Sequence, residues 1–157
     1  MNRKELKTRI EDILASVLYN ASVRQGVYIT KPKIKITKLR RYYARITLDD
    51  KRGATLKVSD LFLKFYDKDK DLADRFLKFI IGHEIAHAIQ KEKYGLGTFM
   101  YSHPLAIEEQ ANKIAENITD ITYEEFKYIS NKFRDIIIDE KLKTIKRKYP
   151  TAKMKIV

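Results

Sequence analysis

The residue types that could do chemistry crowd into one short run, His83-Glu84-Ile85-Ala86-His87. In a helix, residues four apart share a face, one turn above the other. The two imidazoles can then reach a single Zn²⁺ at roughly 2.0–2.1 Å each. Glu84 points about 100° round the helix from His83. It is close to the metal but poorly aimed to ligate it, and suits the general base that takes a proton from a zinc-bound water. The chain has three histidines, and two of them fall in this motif. Phe76, Leu77, Ile80, Ile81, Ile85, Ala88 and Ile89 recur around it at helical spacing, so the helix faces the core. Three polar residues on such a helix need partners, because unpaired buried polar groups are costly.

A catalytic zinc takes three protein ligands and keeps one position open. A third histidine soon after the second is excluded here, because Gln90 and Lys93 stand where the extended pattern requires Gly and His. The best remaining donor is Glu108, on a second helix that opens near Ser102-His103-Pro104, where Pro suits a first turn. Asn112 lies one turn further along the same face and can orient a ligand. Small Ala111 and Ala115 allow the two helices to approach closely. Glu109 is a rival for the third position, with a side chain about 100° away. His103 is another, and would make a three-histidine site. The oxyanion of a hydrolytic transition state needs a donor besides the metal, and His103 and Tyr101 rank first for it, with Tyr94 behind.

The elements that must position these groups read as α+β. Residues 2 to 24 form an amphipathic helix with Leu6, Ile10, Ile13, Leu14, Val17, Leu18 and Ala21 on its apolar stripe, and Gly26 stops it. Three segments then alternate with period two: Ile34 and Ile36, then Tyr42 to Leu48, then Leu56 and Val58. They predict a small, mostly antiparallel, three-stranded sheet, with a turn at 49–53. Ser59 is placed to cap a short helical segment over 61–66. Residues 67–71, Asp-Lys-Asp-Lys-Asp, read as a solvated charged loop without the Gly and distal Glu of a calcium loop. The metal helix follows over 72–93. After the Glu108 helix, Thr122 and Glu125 make a capping box for one long C-terminal helix that runs towards Tyr149 and stops at Pro150. With no linker and no repeat, residues 1–157 are expected to be one domain.

His83-Glu84-Ile85-Ala86-His87 followed by Glu108-Glu109-Gln110-Ala111-Asn112 resembles the gluzincin pattern H-E-x-x-H … E-x-x-A-[DN]. Peptidases of the ImmA/IrrE type, the soluble archaeal minigluzincins and the catalytic core of HtpX-type membrane peptidases share it. The resemblance covers roughly residues 54–118. It implies a zincin-like fold and a zinc-dependent endopeptidase of peptide or protein substrates. It also implies His83, His87 and Glu108 as ligands, Glu84 as base and Asn112 as the residue that orients a ligand. The strand 54–58 would be the edge along which an extended peptide lies.

Composition excludes other classes. The absence of Cys removes thiol nucleophiles, disulfides and cysteine zinc sites. No run of about 18 apolar residues exists, so no membrane span is expected. The N-terminus lacks the apolar core of a signal peptide, so the cytoplasm is the expected location. Lys, Glu and Ile richness fits a heat-adapted protein. The net charge of +12 suits either a solvated lysine-rich surface or a polyanion partner, with basic knots at 38–41 and 146–148. The alternative function is therefore a basic nucleic-acid-associated protein whose zinc site is regulatory, latent or vestigial. In the latent case the lysine-rich end, 151–157, would cover the cleft.

Overall fold

A computed structural model describes residues 1–49, 53–95 and 103–150. Among them are six α-helices and a three-stranded sheet. The first helix, α1 (Arg3–Gln25), starts where the Asn2 side chain accepts the Glu5 N–H at 2.8 Å and ends at Gly26, whose φ of 65° is left-handed. Its stripe of Leu6, Ile10, Ile13, Leu14, Val17 and Ala21 is buried.

The strands β1 (Lys33–Thr37), β2 (Ala44–Asp49) and β3 (Gly53–Ser59) pair in the order β1-β3-β2. β2 and β3 are antiparallel, whereas β1 runs parallel to β3. The sheet is thus mixed, not mostly antiparallel. β3 takes the centre because Leu56 and Val58 are fully buried, while Ile34, Ile36 and Ile46 beside them are only partly so. Strand 54–58 therefore has neighbours on both sides and is not the edge expected of it; β2 is an edge strand.

Helix α2 (Phe62–Lys68) is preceded by Ser59, whose hydroxyl accepts the Leu61 N–H and donates to the Leu39 carbonyl. The expected charged loop shrinks to one residue. Asp69 alone separates α2 from α3 (Lys70–Tyr94), and its carboxylate caps α3 through the Leu72 N–H at 3.1 Å. The long α3 is the spine of the domain, with Phe76, Leu77, Ile81, Ile85 and Ile89 fully buried. Arg9 grips Asp74 with two hydrogen bonds of 2.7 and 2.6 Å, tying α1 to α3, and Tyr66 donates to the same carboxylate.

Helix α4 (Pro104–Thr119) lies antiparallel to α3: Gly82 abuts Thr119 and Ala115, while Gln90 bonds Ile107 and Gln110 near the other end. A methyl on Gly82 would stand 2.3 Å from Thr119 Cγ2, so glycine there sets how closely the two helices meet. The last stretch is two helices rather than one, α5 (Tyr123–Lys132) and α6 (Arg134–Lys148). Phe133 breaks it, because its fully buried ring turns inward to stack on Phe65 at 4.6 Å and joins Phe62, Phe76 and Phe126 in the aromatic core. Half of the expected capping box forms. Thr122 accepts the Glu125 N–H, but the Glu125 carboxylate is held instead by Arg75. No described helix is long and apolar enough to cross a membrane. The segment 151–157 lies outside the described residues.

Candidate metal centre

Helical spacing puts His83 and His87 on one face of α3, and the antiparallel α4 lays Glu108 across them. His83 Nε2 is 3.0 Å from Glu108 Oε2, and His87 Nε2 is 3.3 Å from Glu108 Oε1. The two Nε2 atoms are 3.1 Å apart. Ligand atoms at tetrahedral angles round a zinc with bonds of 2.0–2.1 Å are separated by roughly 3.3 Å, so the three donors outline one face of such a cage.

The chemistry of the donors agrees with the distances. His83 Nδ1 lies 2.9 Å from Asn112 Oδ1, and His87 Nδ1 lies 2.9 Å from Gln90 Oε1. An amide oxygen only accepts, so each Nδ1 carries the hydrogen, and in the neutral ring each Nε2 then presents its lone pair to the centre. Two lone pairs and a carboxylate aimed at one point repel one another unless a cation lies between them. Among the described residues, this is the one group of His, Asp and Glu donors that could hold a metal ion.

Glu84 is half-buried beside the cluster, and its Oε2 accepts the Ile46 N–H at 2.9 Å. Ile46 lies opposite Leu56 in the register, with its N–H turned away from β3 to the outer edge of β2, where no further strand pairs among the described residues. Burial pushes the Glu84 carboxyl up from its ordinary value, while the Ile46 N–H and the two histidines pull it part of the way back. The strand thus anchors one oxygen of Glu84 beside the cluster. A cleft of about 370 Å³ opens beside the cluster, walled by Tyr42, Tyr43, Phe79, Ile80, Tyr123 and Phe126.

No protein-family model, curated protein or solved structure matches the chain. The site is therefore read from its own geometry.

Among the residues singled out from the sequence, His83, Glu84, His87, Glu108 and Asn112 come together. Glu109 is exposed and outside the cluster. His103 sits at the N-terminus of α4 as its cap, Nδ1 accepting the Leu105 N–H at 3.2 Å, and is not in the cluster. Tyr94 ends α3 and is half exposed. Tyr101 lies outside the described residues. Two contributors escaped the sequence reading. One is the backbone N–H of Ile46, which no side-chain pattern reports. The other is Gln90, almost fully buried, which holds His87 and in turn donates to the Ile107 carbonyl and to Gln110, both at 2.9 Å. A polar residue on an otherwise apolar stripe, one turn after His87, was its signal.

Proposed function

We propose that this chain is a zinc-dependent endopeptidase of the gluzincin type, with His83, His87 and Glu108 holding the metal and Glu84 acting as general base. One observation carries the reading: three donors 3.0–3.3 Å apart, each histidine fixed in the tautomer that offers its lone pair. A zinc ion bound there would supply a Lewis acid that polarises a carbonyl and lowers the pKa of water towards about 7. Glu84 takes the proton of the attacking water and passes it to the leaving amine. The substrate lies extended along the free edge of β2, where backbone groups away from β3 can pair with it. The aromatic cleft between β2, α3 and α5 receives a bulky apolar side chain. We assign donation to the oxyanion, on the sequence pattern alone, to His103 and Tyr101.

The experiment is a digest of unfolded casein with and without a chelator, using wild-type protein and Glu84→Gln. Chelator-sensitive cleavage in the wild type, lost by about 10²–10⁴-fold in Glu84→Gln with zinc still bound, is the expected result. Cleavage retained by Glu84→Gln rejects the mechanism.

A further inference from the structure

The side of the sheet turned away from the core has a charge pattern that the metal centre does not use. Register places Lys35 of β1 opposite Lys57 of β3, and Lys57 opposite Arg45 of β2. Side chains on paired residues share a face, so three cations form a row straight across all three strands, with strands about 4.8 Å apart. The adjacent row is Lys33, Thr55 and Thr47. Lys33, Lys35 and Arg45 are exposed. Like charges directly opposite one another oppose strand pairing. Elsewhere, Arg3, Arg9, Arg24, Arg40 and Arg75 each have a carboxylate partner. On this face no ion pair relieves the row among the described residues, and Arg45 lies instead over the Tyr42 ring at 5.4 Å.

We infer that the outer face of the sheet is a docking surface for the phosphate backbone of nucleic acid, bound without regard to sequence. Lysine, arginine and threonine are side chains that reach phosphate oxygens, and these two rows contain nothing else. The outward positions of both rows carry no aromatic residue, so they lack the stacking platforms that read single-stranded bases. A protein partner is disfavoured because a lysine, not an apolar anchor, occupies the middle of the face. A membrane surface is disfavoured because nothing apolar projects from these rows to insert between lipids. The remaining chemistry is charge neutralisation of a polyanion, in line with a net charge of +12. The face lies across β2 from the edge that holds Glu84, and its role does not depend on whether the metal centre cleaves peptides.

The test is fluorescence anisotropy of a labelled DNA duplex titrated with full-length protein over a range of salt. Four cations on phosphates give a slope of log affinity against log salt of about −3 to −4. Lys35→Thr, Lys57→Thr and Arg45→Thr together should lower affinity at least about tenfold at about 50 mM salt and flatten the slope by about 3. Threonine favours strands and removes the repulsion, so this variant should melt no lower than wild type. Lys35→Glu alone, at the exposed β1, is the second variant and should weaken binding in the same direction. Lys113→Gln, Lys127→Gln and Lys132→Gln together, on α4 and α5, remove the same charge elsewhere and should leave affinity within about twofold. The inference is overturned by no binding of wild type near 50 mM salt, by equal losses in the two triple variants, or by anionic lipid vesicles outcompeting the duplex.

Discussion

Two clefts of similar size share one wall, and their surroundings push Glu140 in one and Glu84 in the other in opposite directions. The first, about 390 Å³, lies between the segment 39–43 and α6. The second, about 370 Å³, lies beside the metal donors. Arg41, Tyr42 and Tyr43 line both. In the first, Glu140 is 5% exposed but surrounded by cations: Lys64, Arg40 at 3.0 Å and Lys143 at 3.7 Å. Lys64 above all holds its carboxyl below the ordinary value. In the second, burial pushes Glu84 up, and among the described residues no lysine or arginine answers Glu108, which faces the two imidazoles. A buried carboxylate neutralised by the chain's own cations is part of the scaffold, here pinning α6 to the body. Carboxylates gathered with imidazoles, without a lysine or arginine among the described residues, make a group that could hold an external cation.

The difference can be broken at four places. The largest effect is expected from His87→Ala or Glu108→Ala, either of which should weaken zinc binding by more than about a hundredfold, beyond the usual loss from an orienting residue. Zinc titration calorimetry on metal-free protein measures it. Next come Asn112→Ala and Gln90→Ala. They leave all three ligands in place but free the imidazole tautomers, so zinc affinity should fall about 10–100-fold. Affinity unchanged in both would mean that the Nδ1 bonds do not orient the rings.

Gly82→Ala is third. The new methyl meets Thr119, whose hydroxyl is already fixed by the Ala115 carbonyl and the Ile121 N–H. Overpacking should outweigh the helix-forming gain of alanine and lower stability by up to about 2 kcal/mol, read from urea midpoints. Zinc affinity should fall with it as α4 moves Glu108 away.

The smallest effect belongs to the other cleft. Glu140→Gln should cost about 1 kcal/mol at neutral pH, since Lys64 is half exposed and solvent screens the pair, and should leave zinc affinity unchanged. The pH dependence has a definite sign. The folded pKa of Glu140 lies below the ordinary 4.5, and that of Asp74 lies below 3.8. For Asp74, burial works the other way, but the Arg9 and Tyr66 hydrogen bonds overcome it. Such groups stabilise the fold above their unfolded pKa and lose that contribution as pH falls through the folded one. Wild-type stability should therefore decline below about pH 4.5, and Glu140→Gln should show a shallower decline in urea melts at acid pH.

The sequence made the local parts legible and hid the parts that depend on distant pairing. Helical periodicity alone brings His83 and His87 together and orients Asn112 with Glu108. The N-terminal helix and its stop at Gly26 follow from one apolar stripe and one glycine. By contrast, Ile34 and Ile36 alternate equally well in a parallel or an antiparallel ladder, so β1's direction and β3's central place were unreadable, and with them the true edge. The period of 123–148 is helical throughout, and only the tertiary pull on Phe133 breaks it. Gln90 first counted as a missing glycine, because its function appears only once α4 lies beside it.

The most direct measurement is zinc-edge X-ray absorption on tag-free, zinc-loaded protein. The account predicts one zinc per chain with two imidazole nitrogens and carboxylate or water oxygen at roughly 2.0–2.1 Å. A zinc shell without imidazole, or a protein that takes up no zinc, would contradict it.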